Sequence, residues 1–391
     1  MREHSAHRPR NHGETVATTI RYPRRTHAAH TRDQPARSLP EIPSRRASGA
    51  PTASTALVLV VCGLLLVAAI TAGVWVGSVG LSPGSVWTVI WDHVTGHPRN
   101  TTSDAIVWEL RLPRVLLAAV VGAALTTAGT VVQVLVRNAL ADPFLLGVSS
   151  GASVGATSVL LFGVFSGLGL WALSTGAILG ALVAMVLVFL VARQGGSLAP
   201  LQLTLCGVVL AGLFESITSF LIFRGNPQAT QSVLFWLLGS FGNAAWSQLP
   251  GPALGLGLAA VYLMAQARAL NALAMGPDAA TSLGVNVNAL RRDLFLVTSL
   301  IAGLSVAVSG VIGFVGLVIP HIVRLLVGSD HRRTLPVGAL VGASFMVLSD
   351  LLARTVVAPQ EMPIGVITAI IGAPTLIVLI RRRTYMYGGT G

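Results

Sequence analysis

The chain is 391 residues long; 53% of them are hydrophobic, only 10% are charged, and the formal net charge is +12. Soluble domains carry about 25% charged residues. With a mean hydropathy of +0.74, the composition excludes an ordinary soluble, disordered, collagen-like or disulfide-stapled chain and leaves a polytopic membrane protein. All 26 basic residues are arginine. A chain without lysine has no Gly-rich phosphate loop of the Lys type and no Schiff-base amine, so any energy from ATP must come from a partner.

Residues 1–50 hold ten of the arginines, five of the nine histidines and four acids, with almost no apolar run. Such a segment cannot bury enough surface to fold, and it reads as a disordered Arg/His/Pro-rich cytoplasmic tail. It is not a signal peptide, since the apolar stretch after it is too long and lacks a cleavage-type end. Its charge is +6, as is that of the remainder. Nothing aromatic or motif-like accompanies that charge, so nucleic acid is not an expected partner.

From residue 55 onward one apolar segment follows another. Spans are expected near 55–77, 113–135, 143–164, 171–192, 201–223, 250–267, 294–312, 313–328, 335–356 and 363–381, most of them near the roughly 20 residues that cross a bilayer. The pair between 294 and 328 is read as one full helix and one short one, interrupted by Pro320. The fold class is thus an all-α polytopic membrane protein of about ten transmembrane helices. Residues 51–385 form one domain and 386–391 a short C-terminal tail. An inside N-terminus puts 21 arginines on the inner side and five outside, so both termini are expected to be cytoplasmic. Residues 82–96, with Trp87, Ile90 and Trp91, and residues 231–246, with Phe235, Trp236 and Trp246, suit short elements at the outer interface. The series Gly147, Gly151, Gly155 and the pairs Gly176/Gly180 and Gly338/Gly342 have the spacing that lets helix backbones approach closely in lipid. Cys62 and Cys206, each inside an apolar run, read as small buried hydrophobes; no metal-ligand set and no catalytic group is expected.

Three features could carry function. Arg111-Leu112-Pro113-Arg114 and Arg354 fall at the outer face from distant segments; they either snorkel at the interface or make an exposed patch for acidic groups. Asp350 stands four residues before Arg354 and could simply pair with it. The inner loop 268–293 contains Pro277, Asp278 and Gly284 at positions that suit a short helix's start and close, which is either a plain connection or a piece that fits a groove on a partner. Gln133, Asn138, Glu215, His321 and Asp350 are polar groups within apolar runs, where they usually face protein or a water-filled path. Gly147-Val148-Ser149-Ser150-Gly151 also fits the G-x-S-x-G nucleophile pattern, which would need a strand-to-helix elbow and a triad with His321 and Asp350.

These blocks resemble the permease subunits of the FecCD type, which belong to ATP-driven importers for ferric siderophores, haem and cobalamin. The resemblance covers about residues 55–385. It runs through Arg111–Arg114, Gly129 and Gln133, then Arg137-Asn138-Ala139-Leu140-Ala141-Asp142-Pro143, Leu146–Ala152 and Trp236–Ser240. Its most specific block is Gly313-Phe314-Val315-Gly316-Leu317-Val318-Ile319-Pro320-His321 with Arg324, followed by Asp350, Arg354, Pro363-Ile364-Gly365 and Gly372-Ala373-Pro374. The resemblance implies a transport permease rather than an enzyme. It would sit in the cytoplasmic membrane with a second permease subunit, identical or closely related. It would work with two ATP-binding subunits that use ATP and Mg, and with an extracytoplasmic substrate-binding protein; the chain itself would hold no cofactor. It also implies that Arg111, Arg114 and Arg354 receive acidic groups of the binding protein. Asp278, Ala279, Ala280, Leu283 and Gly284 would enter the ATPase as the coupling segment, and the path would run along the fifth span, bringing in Thr218 and Ser219 beside Glu215. Ala139 and Val311 stand where the family commonly has proline. The first cargo expected is a ferric siderophore, with haem and cobalamin as alternatives. An ion-coupled secondary transporter and an intramembrane serine hydrolase are the readings from other classes.

Overall fold

The computed structural model describes residues 52–77, 79–99, 101–194 and 197–386. The expected tail 1–50 lies outside the described residues, as does nearly all of 386–391. The first membrane helix is α1 (Thr52–Trp75), followed by the short α2 (Pro83–Val94) and α3 (Thr102–Asp104). A π-helical turn, Ala105–Arg111, then leads directly into α4 (Leu112–Leu135). Next come α5 (Val148–Phe162) and α6 (Ala172–Ala192), then a two-stranded hairpin of Arg193–Gln194 and Ser197–Leu198 and the long α7 (Pro200–Arg224). The chain continues through α8 (Pro227–Leu237), α9 (Pro250–Ala265), α10 (Ala267–Met275), α11 (Pro277–Ser282), α12 (Val287–Ser309), α13 (Val315–Val327), α14 (His331–Thr355) and α15 (Ile364–Met386).

Among the described residues seven helical segments are long and apolar enough to cross a membrane, and three shorter apolar helices (Val148–Phe162, Val315–Val327 and Ile364–Leu379) accompany them. They correspond one to one with the ten expected spans. The centre of the bundle is α4, whose most apolar window is 89% buried, whereas those of α7 and α9 are only 17% buried. Composition explains the difference: α4 carries Gly122, Ala123, Ala124, Ala128 and Gly129, which present little side chain to neighbours. A Cβ on Gly129 would collide with the backbone of Gly316 in α13, and one on Gly122 with that of Gly342 in α14. The expected small-residue spacing acts in the same way between α5 and α6, where Gly151 meets Gly180 and Gly155 meets Gly176 backbone to backbone. Such approach gives helices in lipid the van der Waals contact that a hydrophobic drive cannot supply there.

Three boundaries differ from the sequence reading. The span expected at 143–164 is a helix only from Val148; Pro143–Leu146 is a 3-10 turn, started by Asp142, whose Oδ1 accepts from the Phe144 N–H at 2.9 Å, and ended by Gly147 at φ 73°. The outer element expected at 231–246 begins earlier, at Pro227, because Asn226 caps it through the Ala229 N–H. In the 294–328 pair the interruption is not at Pro320. It falls at Gly310 (φ 68°) through Phe314 (φ 70°), and Pro320 lies inside α13. A proline in a helix frees the carbonyl four residues back, here that of Gly316. Gln133 of α4 donates its Nε2 to that carbonyl at 3.2 Å and to Leu317 at 3.4 Å, so the lost backbone bond is replaced from the neighbouring helix.

Candidate functional site

Asp350, near the C-terminal end of α14, is fully buried. Arg114, in the first turn of α4, donates Nε to Asp350 Oδ1 at 3.0 Å and brings its Nη2 within 2.9 Å of the same oxygen. Arg354, one helical turn after Asp350, brings Nε to 3.1 Å of Oδ2. The outward Nη1 of Arg114 holds Glu361 Oε1 at 2.9 Å. Arg111 closes the group: its guanidinium donates to the carbonyls of Val74, Trp75 and Val79, where α1 ends and its last carbonyls need donors. Arg354 Nη2 also donates to the Gly73 carbonyl at 2.9 Å. The three expected arginines thus meet at one end of the bundle, but they do not form an exposed patch. Arg111, Arg114 and Arg354 are 6%, 9% and 8% exposed; the buried carboxylate of Asp350, Glu361 and the last carbonyls of α1 supply partners that offset part of the cost of burying them. The expected Asp350–Arg354 pair is present. Glu361, which sequence reasoning passed over, completes it; its signal was that it is the only acid in the loop between α14 and α15.

A cavity of about 570 Å³ opens between the 3-10 turn, the start of α5, the middle of α7 and the start of α13. Its lining includes two carboxylates, Asp142 and Glu215, two hydroxyls, Ser149 and Ser150, and the aromatic rings of Phe144 and Phe314. Of the residues expected along the path, Glu215 lines the cavity and Ser219 is exposed one turn further along α7. Thr218 is not on that exposed face: it is buried, and its hydroxyl has no hydrogen-bond partner. Asp142, in the loop between helices, has its carboxyl pushed up to about 6 by burial, an effect that the Phe144 N–H partly offsets. Among the described residues no group of three or more His, Cys, Asp or Glu side chains is placed to hold a metal ion.

The block Gly313–His321 sits where α13 meets α4. Phe314 takes a left-handed backbone that turns the chain into α13, Gly316 provides the close approach to Gly129, and Pro320 exposes the carbonyl that Gln133 fills. Arg324 donates to Gln133 Oε1 at 2.6 Å and lies 3.2 Å from His321 Nδ1. These residues organise a helix junction at the end of α4 opposite Arg114. The hydrolase arrangement does not assemble: Ser149 follows a 3-10 turn rather than a strand, and both oxygens of Asp350 are held by arginines.

At that opposite end, α10 and α11 carry the loop 268–293, with the expected short helix in it. Pro277 is the first residue of α11, Asp278 sits in its first turn, and Gly284 follows at φ 79°, its N–H on the Thr281 carbonyl at 2.9 Å. Asp278 is exposed, Ala279 is half-buried and Ala280 is fully buried. Leu283 and Met275, at 64% and 66% exposed, project apolar side chains from this loop.

A family model described as the FecCD transport family matches residues 64–382. The Hemin transport system permease protein HmuU of Yersinia pestis is 41% identical over 297 residues, covering 74% of this chain and 88% of that protein. The Vitamin B12 import system permease protein BtuC of Vibrio cholerae is 39% identical over 312 residues, 78% of this chain and 88% of that protein. A solved structure of a metal-chelate type ABC transporter in an inward-facing conformation superposes with a TM-score of 0.73 at 34% identity, covering 84% of this chain and 99% of that one. The polytopic helical bundle, its glycine-mediated core and these likenesses agree: this multi-pass protein of the cell membrane belongs to the FecCD transport family.

Proposed function

We propose that the chain is the permease subunit of an ATP-driven importer for a metal chelate or corrinoid, with an iron chelate of the ferric-siderophore type as the first cargo to test and haem or cobalamin as the others. What carries this reading is the extended likeness to permeases named for hemin and vitamin B12 import together with the structural likeness to a metal-chelate type transporter. A partner ATPase hydrolyses ATP with Mg, and this chain converts the closure of that partner into reorientation of a central path. The arginine bias supports a cytoplasmic side for both termini and for the α10–α11 loop. There Asp278, Ala279, Ala280, Leu283 and Gly284 form the coupling element; the exposed Leu283 and Met275 are the apolar side chains that a partner groove would cover.

The outer end carries Arg111, Arg114 and Arg354, and the binding protein docks there through acidic side chains. Three guanidinium groups against two carboxylates leave a net positive charge, and Glu361 occupies the outward-facing Nη1 of Arg114. The exposed apolar face of α7, with Val208, Val209, Phe220 and Phe223, is covered by the second permease subunit and the path, with Glu215 and Ser219 on the path side. The 570 Å³ cavity at Glu215 also keeps the ion-coupled transporter in view. That reading requires Glu215 for uptake, and Glu215→Gln separates the two.

The experiment is a tagged purification from the native host in mild detergent, with mass spectrometry of all that is retained. Recovery of an ATPase, with a binding protein and its ligand, establishes the importer and identifies the cargo. Recovery of the chain alone across several detergents, with uptake abolished by Glu215→Gln, overturns it in favour of ion coupling.

A further inference from the structure

Where α6 ends and α12 begins, at the Gln133 end of the bundle, a second cavity of about 330 Å³ is lined by Phe189, Arg193, Leu198, Asn286, Asn288, Ala289 and Arg292. Two guanidinium groups and two amides face it, and no carboxylate is in the lining. Arg193 lies over the Phe189 ring, 5.9 Å from its centroid. Asp293, outside the lining, pairs with Arg292 Nε at 2.9 Å. Behind the wall, Arg291 is 8% exposed; its Nη1 donates to the Leu198 carbonyl at 3.3 Å, and its Nε has no hydrogen-bond partner. Two arginines and two amides therefore line a polar cavity with a third arginine behind its wall, which is an environment for an anion with several acceptor oxygens.

The surfaces on the membrane side of the cavity narrow the choice of anion. Between the same two helices runs a shallow, mostly apolar crevice of about 20 Å³, lined by Ile178, Leu182, Met185, Ser299, Leu300 and Leu304. On α6 the series 178, 182, 185, 189, 193 has the three-to-four-residue step of one helix face, and on α12 the series 292, 296, 300, 304 does the same. The polar cavity and the apolar crevice thus lie in line along one helix–helix groove. Val186 and Leu190 of α6 and Leu296 and Leu300 of α12 are exposed beside it. A free phosphate would use only the cavity, whereas a phospholipid uses both parts. Basic pockets between membrane helices are suited to such headgroups.

We propose that this groove binds one anionic phospholipid, its phosphate between Arg193 and Arg292 and an acyl chain lying along the exposed apolar groove between α6 and α12. The site does not depend on the transport reading. It lies directly after the α10–α11 loop, since Asn286 and Val287 follow Gly284 by two and three residues, so the lipid would brace the start of α12 against that loop.

The test is native mass spectrometry of the full chain, alone and in its assembled complex, after delipidation and titration with phosphatidylglycerol, phosphatidylcholine or inorganic phosphate. One phosphatidylglycerol should be retained in preference to phosphatidylcholine. The double variant Arg193→Gln, Arg292→Gln should weaken that retention at least about tenfold, and Arg193→Lys, Arg292→Lys should largely restore it. Leu300→Trp, which fills the crevice and leaves the charge alone, should weaken it too, with folding checked by unchanged melting of each variant. Equal retention of both lipids, or retention unmoved by all of these variants, overturns the site. Inorganic phosphate binding that phosphatidylglycerol does not displace would assign the cavity to a soluble anion instead. Lipid retained by the isolated chain but excluded from the complex would assign it to a subunit contact.

Discussion

Arg114 and Asp350 are 236 positions apart in the chain, yet Arg114 holds Asp350 through both Nε and Nη2 at 3.0 and 2.9 Å, with both side chains buried. This pair ties the start of α4 to the end of α14, and Arg354 and Glu361 are arranged around it. Breaking a buried pair by removing one partner leaves an unpaired charge in a poorly solvated place, and the cost exceeds what the pair contributed.

Asp350→Asn should therefore destabilise the bundle by about 3–5 kcal/mol, read as a lower melting temperature in detergent. Replacing Arg114 and Asp350 together by Met and Leu should recover the part due to Arg114 but not the part due to Arg354, which still loses its carboxylate. A double-variant loss equal to the sum of the two single-variant losses would show that the two side chains are not coupled.

Glu361→Gln offers the contrasting case. Its side chain is 47% exposed, and such half-exposed pairs contribute below about 1 kcal/mol, so melting should hardly change. Because the substitution removes the carboxylate charge that competes for the outward Nη1 of Arg114, the binding protein should dock at least as tightly as to the unaltered chain. Surface-plasmon or pull-down titration reads this directly, and weaker docking would count against an arginine-centred docking face.

Gly129→Val tests the α4–α13 junction. The new side chain would meet the Gly316 backbone, which cannot yield as a flexible side chain does. A loss of about 3 kcal/mol or more is expected, visible as early aggregation in size-exclusion chromatography. Gly313→Ala, where a Cβ meets nothing within 4 Å, is the control.

Asp142 supplies a pH dependence. Its folded pKa of about 6 lies above the unfolded value near 3.9. Its contribution to stability is full below the unfolded value and is lost as pH rises through 6. Asp142→Asn keeps the acceptor for the Phe144 N–H and removes the charge, so it should stabilise the protein at pH 8 by about 1–2 kcal/mol and change little at pH 4. Melting curves at the two pH values suffice; an equal effect at both would rule out the charge as the cause.

Leu283→Asp tests the coupling element. The side chain is 64% exposed, so stability should not change, while association with the ATPase should weaken about tenfold. Normal coupled ATPase activity would remove the segment from that role. Ala280 is a poorer probe, because it is fully buried and a larger residue there would disturb packing first.

The ten apolar helices were legible because a span is a local property: about 20 apolar residues have few alternatives to a membrane helix. The α11 turn was legible for the same reason, since Pro277, Asp278 and Gly284 act within a few residues of one another. The close-packing glycines were readable as spacing, but their partners were not. Which helix Gly129 meets depends on the whole arrangement, and so does the fate of the Gly316 carbonyl that Pro320 leaves open to Gln133. Sequence alone therefore determined that this chain crosses a membrane, roughly where, and which family it resembles. Only the tertiary structure decided that Arg111, Arg114 and Arg354 are buried in a network with Asp350 and Glu361, because a guanidinium at a helix end is exposed or paired according to which distant carboxylates and carbonyls the packing brings to it.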